Sequence, residues 1–303
     1  MLELEPNPDP GPGRPRTVRI GNLQVGDGPP CLIAGPCSVE LAYVAHAALL
    51  ADRGVDGLRA NVFKPRTRPE SFRGLGSEGL ALLREAKERT NLPLFTEVLD
   101  QRDAELVAEV ADCLWVGARN MQNFRLLEVL GEIGKPVLLK RGMGATVDEW
   151  IGASDYMRQR GNDAVVLCER GIRTFETRTR NTLDLSAVVV ARELTDLPIV
   201  VDPSHAAGNR DWVGPLARAA LAAGADGLLV EAHPAPEAAW SDAEQTIDLA
   251  TLGQLVADVR RASVSRVGDD LERPGLIEAV DAEIGRLVTL RGRLTRAAGV
   301  ASA

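Results

Sequence analysis

IVVDPSHAAGNRDWVGPLARAALAAGADGLLVE, residues 199–231, holds one complete repeat of the fold. Ile199, Val200 and Val201 form a short run of β-branched residues, the composition of a buried strand. VGPLARAALAAG, residues 213–224, carries apolar side chains at helical spacing and closes on Gly224. GLLVE, residues 227–231, then opens a second apolar run. Strand, helix and strand follow one another within about 30 residues, the length of a parallel βαβ unit.

Working outward, the same rhythm covers most of the chain. Apolar runs begin at Cys31 (CLIAG), Gly57 (GLRANVF), Leu94 (LFTEV), Cys113 (CLWVG), Val137 (VLLK), Ala164 (AVVLC), Ile199 (IVVD) and Gly227 (GLLVE). Amphipathic stretches lie between them, among them VELAYVAHAALLADRG, GLALLREAKERT and NFRLLEVLGEIG. A closing helix is expected near Ile247–Ala262. Strands that are apolar throughout and alternate with helices imply a parallel sheet covered on both faces. Eight such units predict a (β/α)₈ barrel, a TIM barrel in the α/β class. An open, doubly wound sheet is the alternative, although no GxGxxG follows the first run. TVRIGNLQVGDG, from Thr17, predicts an N-terminal β-hairpin. Residues 1–16 are acidic and rich in Pro and Gly, the composition of a disordered tail. Residues 17–262 are assigned to hairpin and barrel, and 263–303 to a linker and a C-terminal extra helix. The stripe in that helix is Ile277, Val280, Ile284, Leu287, Val288 and Leu294.

Composition narrows the function classes. The 303 residues carry a net charge of −8, so bulk attraction to nucleic acid or to an anionic membrane is not expected. With no signal peptide and no long apolar span, a cytoplasmic enzyme is the default reading. Four cysteines lack CxxC spacing, and Cys31, Cys113 and Cys168 read as buried thiols. Cys37 differs, because Gly35, Pro36 and Ser38 surround it where a strand ends.

In a barrel of this kind, chemistry gathers at the C-terminal ends of the strands. Two sets of residues fall there. Cys37, His205, Glu231 and Asp242 supply one thiolate, one imidazole and two carboxylates, donors that can hold a divalent transition metal. Without a sharp local spacing, a buried Cys, a capping His and surface acids remain the plain alternative. The second set is cationic: Arg59, Lys64, Arg66, Arg119, Lys140, Arg141 and Arg170, with Arg173 and Arg210 nearby. A single such residue is usually a solvated charge or an ion-pair partner. Cations at most strand ends of an acidic protein instead point to a clamp for phosphate and carboxylate. His46, Trp115 and Trp150 are read as packing or surface residues, while His233, two residues past Glu231, is read either as a loop histidine or as a group supporting the Glu231 ligand.

The segments IAGPCSVE, FKPRTRPESFRGLG, FTEVLD, VGARNMQNF, VLLKRGM, CERGIRTFETRTRNTLDLSAV, VDPSHAAGNRD and GADGLLVEAHPAPEAAWSDAEQ run in order along the barrel. They resemble DAHP synthase (3-deoxy-7-phosphoheptulonate synthase) of type I, in the short branch related to octulosonate-phosphate synthases. The resemblance implies a metal-dependent condensation of phosphoenolpyruvate with the phosphorylated aldose erythrose 4-phosphate, in the shikimate pathway to aromatic compounds. It places one divalent ion, Mn, Fe, Co or Zn, on Cys37, His205, Glu231 and Asp242. It assigns phosphoenolpyruvate to Arg119, Lys140 and Arg170, with Arg59 and Lys64 at its carboxylate and reacting carbon. Pro65, Arg66 and Thr67 then meet the aldehyde. Lys64, Glu97 and His205 are the catalytic candidates, Lys64 as proton donor and Glu97 to orient water or balance the cations.

Ala60-Asn61 stands where the family usually has two glycines, so added side chains are expected to narrow the pocket or alter acceptor preference. The same chemistry on another phosphorylated aldehyde is therefore one alternative. A regulatory subunit that binds a partner is another, and a class II aldolase fits poorly with only three histidines. A homo-oligomer is expected. The tail resembles the first helix of all-helical chorismate mutases, with Arg291 matching a ligand-binding arginine and Pro274, beside Arg273, at the place of the other. This implies a docking helix, with a separate chorismate mutase as its potential partner, rather than mutase activity.

Overall fold

The computed structural model of the chain describes residues 15–64, 70 and 72–270, with side chains through residue 263. Pro65, Arg66, Thr67 and the tail from residue 271 lie outside the described residues.

A hairpin of β1 (Val18–Ile20) and β2 (Leu23–Val25) precedes the barrel, paired antiparallel across a turn at Gly21-Asn22. Eight parallel strands follow: β3 (Cys31–Gly35), β4 (Gly57–Arg59), β5 (Leu94–Glu97), β6 (Cys113–Val116), β7 (Val137–Lys140), β8 (Val165–Glu169), β9 (Ile199–Val201) and β10 (Gly227–Glu231). Each pairs with its neighbour in chain order, and β10 pairs with both β9 and β3, so the sheet closes. All eight apolar runs are strands of this barrel, and closure rules out the open sheet.

The pleat sorts the side chains into two cores. Leu32, Leu58, Leu94, Leu114, Leu139, Leu167, Val201 and Leu228 point outward and pack against the surrounding helices. Ile33, Phe95, Trp115, Leu138, Val166, Cys168, Val200 and Leu229 point inward and fill the barrel. Val18, Ile20 and Val25 of the hairpin join this inner core, so the hairpin plugs one end of the barrel. The period of two continues past the last apolar residue of each strand. The inward series thus runs on to Cys37, Arg59, Asn61, Glu97, Lys140, Arg170, Asp202 and Glu231.

Neighbouring strands approach closely where the site begins. A Cβ at Gly35 would collide with the carbonyl of Arg59 on β4, backbone against backbone. Gly35→Ala is therefore expected to cost about 1–3 kcal/mol, as overpacking does. Thermal unfolding should show this as a Tm lower by several degrees.

The closing helix extends further than the sequence predicts, from Leu249 to Asp270. The stretch read as a linker thus begins helical, because no proline interrupts it before Pro274. The barrel unit ends at Ala262. No helix among the described residues is long and apolar enough to cross a membrane. All four cysteines are buried and free.

Candidate active site

A cavity of about 280 Å³ opens at the C-terminal ends of the barrel strands. Its wall includes Cys37, Lys64, Glu97, Arg119, Lys140, Arg170, His205 and Asp242, so all eight strand ends or their following loops contribute.

The metal-ligand candidates meet at its floor. Ligand atoms of Cys37, His205 and Glu231 all lie within 4.8 Å of one another. Asp242 joins on the Cys37 side, its Oδ2 3.0 Å from Sγ. Glu231 Oε2 accepts from Gln245, while Oε1 is buried with no hydrogen-bond partner. His205 Nε2 is 3.5 Å from that orphaned oxygen. Arg59 lies 3.3 Å from that oxygen without bonding it, so a buried carboxylate oxygen with no hydrogen bond still faces an imidazole nitrogen and a thiol, a set a bound cation would satisfy. One soft sulfur, one nitrogen and two oxygens suit Mn, Fe, Co or Zn better than Mg or Ca.

Asp202 prepares His205 for that role. It caps the short helix Pro203–Ala207 by accepting from the His205 backbone N–H at 3.0 Å. Its other oxygen faces His205 Nδ1 at 2.8 Å and Lys140 Nζ at 2.7 Å. Nδ1 touches Asp202 without hydrogen-bond geometry, and Nε2 lies on the Glu231 side, the order of groups in a carboxylate–histidine–metal triad. Burial alone would raise the Asp202 carboxyl, but His205 and Lys140 hold it well below the usual range. Burial pushes His205 down against the pull of Asp202 and Glu231, the direction that favours the neutral imidazole a metal would need. Asp202→Asn is expected to keep the fold and weaken metal binding by about 10–100-fold, the usual cost of losing such a partner. Titration of the metal-free variant against a chelator measures it.

Lys64 bridges the ligands and the cavity. Its ammonium is 2.6 Å from Cys37 Sγ and 2.5 Å from Asp242 Oδ2. Burial pushes the Cys37 thiol up, and the Glu231 charge adds to this, while Lys64 opposes both.

Around the wall, cations predominate: Lys64, Arg119, Lys140, Arg170, Arg173 and Arg180. Among the described residues, no acid pairs with Arg119 or Arg173. Trp115 lies beneath, with Arg59 at 4.8 Å and Lys140 at 5.0 Å from its ring centroid. This tryptophan packs in the core and also supports two cations.

Several residues depart from the sequence reading. Arg59 is fully buried below the cavity, 3.3 Å from Glu231 Oε1, and is not on its wall. Arg141 leaves the set altogether. It faces outward from β7 and is held by Glu169 and Asp184, each at 2.9 Å. Arg210 pairs with Glu237 and is absent from the wall. Asn61, where a glycine pair was expected, enters the cavity and donates to Glu97 Oε2 at 2.7 Å. Burial raises Glu97, with Lys140 pulling the other way.

Arg180 was missed. A two-way bridge between Ile172 and Thr182 folds the loop after β8 back on itself. Arg173 and Arg180 then both reach the wall, and Arg180 bonds Gln245 and faces Asp242 at 3.5 Å. The RTR run at 178–180 was the available signal, but a loop has no period to say which arginine turns inward.

Residues 14–263 match the model of the DAHP synthetase I family. The chain belongs to this family. It is 49% identical over 248 residues to the phospho-2-dehydro-3-deoxyheptonate aldolase of Thermotoga maritima, covering 80% of this chain and 73% of that protein. It is 32% identical over 283 residues to a 2-dehydro-3-deoxyphosphooctonate aldolase of Thioalkalivibrio sulfidiphilus, covering 86% and 98%. The crystal structure of the Thermotoga DAHP synthase superposes with a TM-score of 0.80 at 47% identity, covering 83% of this chain and 74% of that one. A truncated form of the same enzyme gives 0.77 at 44% identity, covering 83% and 93%. Lower identity to the octonate aldolases agrees with the short branch of DAHP synthases. As a member, this chain is an enzyme, a transferase of the aldolase type.

Proposed function

We propose that this enzyme condenses phosphoenolpyruvate with erythrose 4-phosphate, forming 3-deoxy-arabino-heptulosonate 7-phosphate and phosphate at the head of aromatic biosynthesis. The observation that carries this reading is one cavity that sets the donor cluster of Cys37, His205 and Glu231, with Asp242 beside Cys37, next to a group of cations. The 49% identical Thermotoga relative supports it.

Cys37, His205, Glu231 and Asp242 are assigned to the divalent ion. Such an ion supplies Lewis acidity to the aldehyde carbonyl. Arg119, Lys140 and Arg170 clamp the phosphate of phosphoenolpyruvate and stabilise it as it leaves. Arg59, whose buried guanidinium nitrogens make no hydrogen bond, is assigned with Lys64 to the carboxylate and reacting carbon of phosphoenolpyruvate on the family resemblance, and it also balances the charge of Glu231. C3 of phosphoenolpyruvate bonds to the aldehyde carbon, and the Lys64 ammonium gives a proton to the oxygen that becomes the new hydroxyl. Water adds at C2, where Glu97, kept from easy ionisation by burial, orients it together with Asn61. The C2–O bond to phosphate then breaks to leave the C2 ketone, one water proton restoring the Lys64 ammonium and the other leaving with the phosphate. Pro65, Arg66 and Thr67 are assigned to the aldehyde on the family resemblance.

The test is direct. Protein loaded separately with Mn²⁺, Fe²⁺, Co²⁺ or Zn²⁺ is mixed with both substrates, and phosphate release is followed. Release that needs both substrates is expected; none with any of the four ions would reject the reading. Because Asn61 stands in the cavity wall, a second reading keeps the chemistry and changes the acceptor. A panel of phosphorylated aldehydes separates the two, and a clear optimum for erythrose 4-phosphate rejects the second.

A further inference from the structure

The loop after β10 carries Asp242 and is tied at its base. Ile247 N–H bonds Glu231 O at 2.9 Å, and His233 N–H bonds Ile247 O at 3.0 Å. Between these ties the chain makes a long excursion over the cavity. At its far point Asp242 adopts a left-handed backbone, φ 53°, shared among the described non-glycine residues only with Asn91. A side chain in that conformation stays there only if its surroundings hold it.

Within the loop, Thr246 Oγ1 and the Gln245 N–H donate to Asp242 O, and Lys64 and Arg180 meet its carboxylate. A further hold on the residues before it comes from the loop after β3, the one that bears Cys37. Ser38 and Ser241 hydroxyls, both buried, bond at 2.9 Å. Glu40 Oε1 accepts the Trp240 N–H at 2.9 Å. Its Oε2 lies 3.1 Å from His233 Nε2. His233 Nδ1 accepts the Ala235 N–H at 3.0 Å, so the ring proton of neutral His233 sits on Nε2 and is donated to Glu40. Glu40 and His233 are both buried, at 4% and 2% exposure.

Glu40, His46 and His233 also have the donor types of a metal site, with ligand atoms within 4.8 Å. The Ala235 bond argues against that use. It occupies the Nδ1 lone pair and leaves the proton on Nε2, the atom a metal beside Glu40 would need. The bonding fits a carboxylate–imidazole clasp.

We infer that Glu40 and His233 are positioning residues that fix Trp240 and Ser241 and so hold Asp242 beside Cys37. The inference rests on the metal-centre reading above. A clasp acting through Asp242 should matter to metal binding only while Asp242 is a ligand, which a double-mutant cycle can detect.

Co²⁺ is titrated into metal-free wild type, Glu40→Ala, Asp242→Ala and the double variant against a competing chelator. Circular dichroism confirms that each is folded. Glu40→Ala should raise the Kd about tenfold in the native background, and less than about twofold beside Asp242→Ala, with one Co²⁺ per chain in the wild type. If Glu40→Ala does not fold, Glu40→Gln, which can accept from only one of the two donors, is read in the same cycle. Equal weakening in both backgrounds, no weakening in the native one, or two Co²⁺ per chain would overturn the clasp. An Asp242→Ala protein that binds Co²⁺ as well as wild type would instead remove the metal centre, and the clasp with it.

Discussion

Cys37→Ala is expected to leave a folded barrel that no longer retains a divalent ion and no longer releases phosphate from phosphoenolpyruvate. The thiol is the one soft donor of the set and lies against both Asp242 and Lys64. Its removal takes away a ligand and leaves Glu231 and Asp242 to share a site with too few donors. The loss in affinity should exceed the roughly 10–100-fold that follows loss of an outer partner such as Asp202. Metal content after dialysis, measured beside far-UV circular dichroism, reads the effect. A variant that keeps a full equivalent of ion would remove Cys37 from the site.

Lys64→Met separates proton delivery from metal binding. Methionine keeps much of the buried stem and loses the ammonium. A positioned proton donor contributes about 10²–10⁴-fold to rate, so kcat should fall by that order. Metal affinity should not fall, because the ammonium sits 2.5 Å from Asp242 and 2.6 Å from Cys37 as a competing cation. Removing it eases entry of a second positive charge. Turnover in saturating substrate and Co²⁺ titration together decide. Equal loss of both would make Lys64 a structural support of the ligands.

Much of this site is legible in the sequence because a strand has a period of two. Once Leu138, Cys168 and Val200 are taken as inward, Lys140, Arg170 and Asp202 follow by parity. The same parity excludes Arg141 and Glu169, which face outward and pair with each other. Their neighbours Lys140 and Arg170 look identical in composition, and counting cations at strand ends without parity overstates the clamp by one. Trp115 was read as packing because its position inside an apolar strand says nothing of the two cations above its ring.

The sequence alone determined the eight repeats, the end of the barrel that carries chemistry, and the donor types gathered there. These follow from local periodicity and from the chemistry of residues at strand ends, and neither needs distant contacts. Only the tertiary structure decided which cations stay unpaired at the cavity wall, that Arg180 folds back to reach it, and that Asn61 enters it. It alone also joined Glu40 to His233 across 193 positions of chain. Loops have no repeating geometry, so the partner of a loop residue is set by closure of the barrel, which brings β10 beside β3 and lays the Asp242 loop against the loop of Cys37.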